Sequence, residues 1–269
     1  MPANDNEALT GLIRKLERLT DLNDEDRQRL LTLPYRRERV AAGTYLVREG
    51  SDVTHCCLLV EGFACRHKTT SDGGRQIVSF HMRGDILDIQ HLLLSKADHN
   101  VEAITDAVVA WIPIEELRRL AWERPSIGEG LWRDTLIDAS IFREWVLNVG
   151  RRDAKARIAH MLCEFVARAE ALGLGSPEQF TLPMTQEQIA DATGLTTIEM
   201  GDLYARGTEQ ADSFVFTNGW LASQPSLMRV MINSFGGYAT TFRLQLTHRL
   251  LEPFGLSRTD RYIHSFVKE

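Results

Sequence analysis

Two closely spaced helix starts around a glycine constrain the fold of this chain more than any other feature. Thr185 is followed three positions later by Gln188, and Thr196 is followed by Glu199 at the same spacing. Each pair matches the capping box, in which a side chain and the backbone satisfy one another at the first turn of a helix. Gly194 lies between the pairs, where a tight turn with positive φ is expected. The sequence therefore predicts two short helices joined by a sharp turn.

This layout is that of the helix-turn-helix, which sets its second helix into the major groove of DNA. Two short helices in an ordinary α-helical domain are the alternative, because capping boxes are common. Thr185 and Gln186 are expected near the DNA backbone, since a hydroxyl, an amide and a helix N-terminus suit phosphate. The remaining residues predicted to contact DNA begin the second helix or lie on its exposed face: Thr196, Thr197, Ile198, Gly201 and Asp202.

The second helix departs from the usual chemistry of a surface that reads DNA. Arginine commonly reads guanine from such a helix, whereas Asp202 accepts hydrogen bonds, for example from cytosine, and is repelled by phosphates. The net charge of −6 does not decide the matter, because only the docking face must be basic. The competing interpretation is a ligand-sensing or protein-interaction dimer that has lost DNA binding.

The region before this unit has the pattern of a helical segment followed by a β domain. Apolar residues recur at helical spacing in residues 1–32. Glycines then interrupt short apolar segments about every ten residues in 33–120, and Asp72-Gly73 suits a hairpin turn. Short strands at this spacing are typical of an antiparallel sandwich, barrel or roll.

Residues 125–150 are predicted to form one long helix, which begins at a proline suited to a first helical turn. Side chains recur on it at intervals of seven, as in the seam of a coiled coil. Such a seam favours a partner helix and a homodimer, whereas the alternative is packing against the chain's own β domain. The predicted dimer interface consists of Trp132, Thr135, Ala139, Phe142, Val146 and Val149.

Composition gives no sign of a secreted, membrane or catalytic protein. The first residues lack signal-peptide regions, and the apolar runs are shorter than the roughly 20 residues that span a bilayer. The cysteines form no C-x-x-C pair and hence no zinc site or disulfide framework: Cys56, Cys57, Cys65 and Cys163. The sequence contains no nucleophile motif or P-loop. We therefore expect a cytoplasmic protein that is not an enzyme and has no membrane partner.

The order of these features resembles the Crp/Fnr family of bacterial transcription regulators over roughly residues 20–203. The segments that carry the resemblance are residues 42–50, 59–62, 72–80, 83–85, 152–154 and 185–203. The resemblance implies an α+β fold with an antiparallel β-roll, a jelly-roll-like double-stranded β-helix, as sensor domain in residues 33–120. It further implies a dimerisation helix in 125–150 and a winged helix-turn-helix domain in 151–222. Double-stranded DNA, a second copy of the chain and RNA polymerase are the implied partners.

In relatives that bind cyclic nucleotides, backbone amides and an arginine cradle the phosphate of the ligand. The resemblance places the candidate effector pocket at Gly84, Asp85, Ile86, Leu87 and Lys96. Ala97 or Asp98 stands where the arginine is expected, and a carboxylate repels a phosphate. Cyclic AMP is therefore not the expected effector, although Lys96 could offer a weaker point charge.

The oxygen-sensing branch of the family holds an iron–sulfur cluster with N-terminal cysteines. Residues 1–55 contain no cysteine, so an iron–sulfur cluster is excluded. Histidines scattered over strands and loops are more often solvated than bound to haem or a metal. This applies to His55, His67, His81, His91 and His99. Cysteines in buried strands are usually inert, and we predict no metal and no cofactor.

The family pattern is lost after Leu203. Residues 214–221 contain an Asn-Gly turn that could belong to a degenerate wing, and residues 223–269 match nothing recognisable. One hypothesis is a shifted reading frame after about residue 198, and the alternative is a divergent extension that binds something else.

Overall fold

The computed structural model describes residues 7–174, 182–196, 199, 216–217 and 220–221. Contacts between residues divide the chain into two units, Met1–Ala139 and Ser140–Glu269. Within the described residues, no helix combines the length and the apolar character that a membrane span requires.

Two short helices begin the first unit. Helix α1 spans Glu7–Leu16 and α2 spans Asp24–Leu31. A capping box begins α2: the Asp26 N–H donates to Asn23 Oδ1 at 2.9 Å, and the Asn23 N–H donates to Asp26 Oδ2 at 3.2 Å. Three leucines of α1 are fully buried because they recur at helical spacing on the side that meets the core: Leu9, Leu12 and Leu16.

Seven strands follow and form two antiparallel sheets. In chain order they are β1 Arg36–Val40, β2 Tyr45–Val47, β3 His55–Glu61, β4 Ala64–Thr69, β5 Arg75–His81, β6 Asn100–Ala103 and β7 Ala107–Pro113. One sheet has the order β1-β7-β3, and the other has the order β2-β6-β4-β5. The Thr70 N–H donates to Gly74 O at 2.8 Å in the turn between β4 and β5. This confirms the predicted hairpin and the predicted antiparallel β domain.

Strand β3 lies at the centre of the first unit and is covered on both faces. Cys57 and Leu59 point into a core formed between the two sheets. Leu58 and Val60, which alternate with them, point into a second core that includes α1 and α2. A strand buried on both faces has a continuous apolar sequence rather than an alternating one, and β3 has such a sequence.

The long helix is held at its start by a buried carboxylate. Helix α3 spans Ile114–Glu123 and α4 spans Pro125–Arg151. Asp26 is only 1% exposed. It accepts hydrogen bonds from Arg124 Nε at 2.6 Å and from Ser126 Oγ at 2.7 Å. The carboxylate thereby fixes the path of the chain into α4. The division between the two units falls inside this helix.

The second unit contains α5, Ala154–Ala171, and α6, Gln186–Thr193. Two short strands, β8 Phe216–Thr217 and β9 Trp220–Leu221, pair antiparallel in the segment where the Asn-Gly turn predicts a degenerate wing. The unassigned extension 223–269 lies outside the described residues.

Candidate functional site

Helix α6 begins with the capping box that the sequence predicts. Thr185 has extended backbone angles and precedes the first helical residue, Gln186. The Gln188 N–H donates to Thr185 Oγ1 at 3.2 Å, and the Thr185 N–H donates to Gln188 Oε1 at 2.9 Å. These bonds satisfy two groups that a helix N-terminus leaves without helical partners.

The turn after α6 has the geometry expected of its glycine. Gly194 adopts φ 63° and ψ 36°, a left-handed conformation that costs glycine little. The Thr196 N–H donates to Glu199 Oε2 at 2.8 Å, and the Glu199 N–H donates to Thr196 Oγ1 at 3.1 Å. The backbone and side-chain hydrogen bonds from Thr196 lower the pKa of Glu199. The second predicted capping box is therefore formed, and its carboxylate is engaged by the helix start.

An arginine of α5 anchors this turn, and the sequence reasoning missed it. Arg157 Nη1 donates to the carbonyl oxygens of Thr193 and Gly194, each at 3.3 Å. Its Nε donates to Arg152 O at 2.9 Å. A guanidinium presents several donors in a fixed plane, so one side chain can tie together two separate stretches of backbone. The sequence signal is weak, because 36 residues separate Arg157 from the first of these carbonyls.

The predicted DNA-contacting residues fall into two groups. Thr185, Gln186 and Thr196 are exposed around the two helix starts. A helix N-terminus offers backbone N–H groups of the kind that bind phosphate oxygens. The other predicted contacts lie outside the described residues: Thr197, Ile198, Gly201 and Asp202.

The candidate effector segment lies in the first unit and is hydrogen-bonded to β3. Gly84, Asp85, Ile86 and Leu87 are all buried, whereas Lys96 is exposed. The Gly84 N–H donates to Leu59 O and the Leu87 N–H donates to Cys57 O, each at 2.8 Å. These two amides already have carbonyl partners, so they do not form an open cradle for a phosphate. Asp98 is likewise engaged, because its Oδ1 lies 2.6 Å from His99 Nδ1.

Polar side chains are buried beside this segment. Arg66 of β4 is 8% exposed and donates from Nη2 to Leu87 O at 2.5 Å. Burial lowers the pKa of Arg66, although the nearby carboxylates, including those of Asp138 and Asp88, oppose that change. Asp88 is fully buried and accepts from the Cys57 N–H at 2.9 Å. Burial raises the pKa of Asp88 to about 7. The interior therefore contains both a cation and a carboxyl group that holds a proton near neutral pH.

The expectation of solvated histidines is wrong for most of them. His55 is exposed, but four others are buried: His67, His81, His91 and His99. Burial, and then the charge of Arg66, lower the pKa of His99 to about 4, so this ring is neutral at pH 7. His91 and His99 stack with their ring centroids 6.4 Å apart. Among the residues that the structure describes, no group of three or more His, Cys, Asp or Glu side chains is arranged to hold a metal.

The described cysteines are buried thiols. Cys56, Cys57 and Cys65 are free, and none is solvent-accessible to a measurable extent. Burial is the largest cause that raises the pKa of Cys56 and of Cys57. A thiol that does not ionise is a poor nucleophile and a poor metal ligand, which agrees with the expectation that these cysteines are inert.

Helix α4 carries two separate stripes of side chains. The buried stripe belongs to the chain's own cores: Ile127, Leu131, Asp134, Ile141, Trp145 and Asn148. The predicted dimer stripe is a different set, and none of its six residues is buried. Trp132 and Val146 are each 70% exposed, and Leu136 beside them is 42% exposed. The exposure of Trp132 favours a partner helix for this stripe.

Comparison with known proteins gives consistent similarities. The family described as cyclic nucleotide-binding domain matches residues 37–123. The transcriptional activator protein FnrL of Cereibacter sphaeroides is 30% identical over 158 residues, which are 58% of this chain and 63% of the relative. A probable transcriptional activator of Rhizobium leguminosarum bv. viciae is 29% identical over 160 residues, 60% of this chain and 65% of the relative. The chain thus spans slightly less than two thirds of these two curated relatives.

Solved structures agree on the fold. The structure of FixK2 from Bradyrhizobium japonicum superposes with a TM-score of 0.63 at 22% sequence identity. The matched region covers 74% of this chain and 98% of FixK2. At this level of identity the likeness concerns the architecture alone.

Proposed function

We propose that this chain belongs to the Crp/Fnr family and is a homodimeric transcription regulator that binds DNA through its helix-turn-helix. The observation that carries the proposal is the pair of capping boxes on either side of Gly194, with Arg157 holding the turn between them. This arrangement places two capped helix starts on either side of a braced turn. The relatives named as transcriptional activators support the same function.

The exposed stripe of α4 supports a homodimer as the binding unit. A tryptophan and a valine that are each 70% exposed are costly to leave in water on an otherwise folded helix. A second copy of α4 would cover them through the heptad spacing that the sequence shows. Two recognition helices related by a twofold axis would then read a palindromic site. We also propose that the protein contacts RNA polymerase and that it has no catalytic activity. We further propose that it acts in the cytoplasm, where the DNA is.

We further propose that the sensing domain works without cyclic AMP, a metal or an iron–sulfur cluster. The amides of Gly84 and Leu87 bond to β3, and the carboxyl group of Asp88 is buried close to them. A phosphate entering here would lose the hydration of its charge and meet a carboxyl group rather than free donors. Calorimetric titration of the full chain with cyclic AMP should show no heat of binding, and saturable binding would overturn this part of the proposal.

Selection from a random duplex library tests DNA binding directly. The purified full chain at moderate salt should enrich a palindrome whose half-sites lie about one helical turn apart. Two matched variants in the first turn of α6 locate the contact. Gln186→Glu should weaken the selected complex at least tenfold, because it adds a negative charge beside the phosphates. Glu187→Gln, which removes a charge from the same turn, should leave the affinity equal or higher.

The outcomes separate the two functional interpretations. Enrichment of a palindrome that Gln186→Glu weakens supports a DNA-binding regulator. Failure of a folded dimer to enrich any sequence would instead favour the ligand-sensing or protein-interaction dimer without DNA binding. Enrichment that is insensitive to both variants would place the DNA contact on another surface.

A further inference from the structure

A half-buried lysine joins three elements of the first unit. Lys15 of α1 places its Nζ 2.8 Å from Asp85 Oδ1, in the turn after β5. The same Nζ lies 2.8 Å from the carboxylate of Asp134 on α4. The side chain of Lys15 is 22% exposed and those of the two aspartates are 8% exposed. The three groups therefore form an ionic bridge that is largely shielded from water.

The charges of this bridge depend on one another. Burial alone would lower the pKa of Lys15, but the carboxylates of Asp134, Asp85 and Asp138 raise it well above its usual value. The ammonium therefore stays charged. Asp85 also accepts from the Met82 N–H at 2.9 Å through its second oxygen, so its position is tied to the backbone of the turn. Removal of any one charge would leave another buried without compensation.

Helix α1 touches the same turn through a close backbone contact. Gly11 lies one helical turn before Lys15 on α1, and it faces Gly84. A Cβ added to Gly84 would lie 2.9 Å from the carbonyl oxygen of Gly11, and φ at Gly84 is 93°. Two successive turns of α1 thus meet the Gly84-Asp85 turn, one by backbone packing and one by the ammonium group. The placement of α1 is accordingly set by that turn.

We propose that Lys15 is a positioning residue that couples the Gly84–Leu87 segment of the sensing domain to helix α4. Asp85 belongs to the segment and Asp134 belongs to α4, and Lys15 is shared between them. A change that moves the segment away from β3 would move Asp85 and weaken its hold on Lys15. The ammonium group of Lys15 would then interact more strongly with Asp134. The electrostatic environment of this part of α4 would change as a result. The consequence for DNA affinity rests on the proposed function, but the coupling itself does not.

Hydrogen exchange of the full chain, followed by mass spectrometry, tests the coupling. Asp134→Asn keeps the shape and the Lys15–Asp85 pair, and Lys15→Met removes the shared ammonium. Both variants should accelerate exchange at least fivefold in peptides covering 131–138 and also in peptides covering 82–87. Peptides from β3 should keep the wild-type rate. The matched control is Arg29→Met, which breaks a surface pair between α2 and α3, where Arg29 Nη2 lies 2.6 Å from Glu123 Oε2. It should leave both peptide sets unchanged.

Other exchange patterns would overturn the coupling. Acceleration confined to the element that carries the substitution would mean that each contact is merely local. Equal acceleration everywhere would mean a loss of overall stability, and no acceleration would mean that the bridge is dispensable. If Lys15→Met does not fold, the exchange rates of Asp134→Asn alone test the coupling. This substitution removes one charge and leaves the volume of the side chain almost unchanged. A double variant that combines Lys15→Met with Asp134→Asn should show the same exchange rate at 131–138 as the faster of the two single variants. Both substitutions remove the same interaction, so their effects should not add.

The affinity for a selected duplex gives a separate readout. Lys15→Met and Asp134→Asn should each change that affinity at least fivefold, and Arg29→Met should not. Unchanged affinity in both variants would overturn transmission to DNA. If no duplex is ever enriched, the proposed function fails, and the exchange measurements still decide whether Lys15 couples the two elements.

Discussion

Arg157 donates from Nη1 to the carbonyl oxygen of Gly194 at 3.3 Å, so helix α5 holds the turn that follows α6. The same nitrogen reaches Thr193 O, the last carbonyl of α6. Carbonyls at a helix C-terminus lack helical partners and carry partial negative charge, which a guanidinium compensates. The geometry of the turn therefore depends on a residue that lies outside the proposed DNA-binding motif.

Replacement of Arg157 should disturb this turn. Arg157→Met should lower the unfolding free energy of the second unit by about 1–3 kcal/mol, because charged hydrogen bonds to carbonyls are lost, and should weaken binding to a selected duplex. Arg157→Lys keeps the charge but not the planar set of donors, so it should restore little of the affinity. Denaturant unfolding and fluorescence anisotropy measure the two effects. Full affinity in Arg157→Lys would mean that charge near the DNA, and not the turn, explains the loss.

Two glycines with positive φ make a matched test of packing in the first unit. Gly62 has φ 88°, and a Cβ there would lie 2.6 Å from Asp106 O. Gly43 has φ 82°, with nothing within 4 Å of an added Cβ. Gly43→Ala should cost about 1 kcal/mol from backbone strain alone. Gly62→Ala adds a clash and should cost about 2–4 kcal/mol in total. Equal losses in denaturant unfolding would contradict the close approach at Gly62.

The dimer stripe of α4 can be tested with two exposed tryptophans. Trp132 is 70% exposed on α4, and Trp122 is 65% exposed on α3. A charge at Trp132 would be buried against a partner helix, so Trp132→Glu should weaken dimerisation at least tenfold in sedimentation velocity. Trp122→Glu should remain dimeric. A dimer that persists in Trp132→Glu but dissociates in Trp122→Glu would move the interface to α3.

Stability should depend on pH through Asp88. Burial raises the pKa of Asp88 from 3.8 to about 7, while the Cys57 N–H and Arg66 lower it only in part. An acid with a raised pKa in the folded state favours folding while it is protonated, and this contribution is lost progressively as the pH rises from about 4 to about 7. Wild-type unfolding free energy should therefore fall by about 1.4 kcal/mol per pH unit between pH 5 and 7 from this group.

Asp88→Asn separates this contribution from that of the histidines. The pKa of His99 is lowered to about 4, so His99 destabilises the fold as the pH falls below 6.5, in the opposite direction. That effect is common to both proteins and cancels in their difference. Asp88→Asn should be the more stable protein at pH 8, and the gap should narrow towards pH 5. A gap that does not change with pH would show that Asp88 does not titrate in this range.

Local features of the site could be predicted from the sequence, because short segments determine them. The capping boxes at Thr185 and Thr196 and the left-handed Gly194 each depend on residues within four positions. The turn between β4 and β5 follows in the same way from Asp72 and its glycine neighbours. Hydrogen bonds between residues a few positions apart form largely independently of tertiary packing. The sequence patterns that encode them therefore predict the local structure well.

The polar interior could not be predicted, because tertiary packing creates it. Lys15 and Asp85 are 70 positions apart, and nothing in the helical pattern of α1 marks one lysine as buried. His67 and His81 are interior residues because both faces of their sheet are covered, which a single strand does not reveal. For this reason the sequence pattern indicates solvated histidines where the fold buries them. The sequence likewise offers Lys96 as the cation beside the effector segment. In the fold Lys96 is exposed, and the buried cation that contacts the segment is Arg66 of β4.

If the outer stripe of α4 is the proposed dimer interface, the two stripes separate self-recognition from folding. Residues such as Leu131 and Trp145 are constrained by the chain's own cores, while Trp132 and Val146, next to them in sequence, are not. Substitutions on the outer stripe can therefore accumulate without loss of the folded monomer. A duplicated copy of this protein could acquire a new pairing preference through a few changes at exposed positions, and two such regulators could then coexist in one cell without forming mixed dimers.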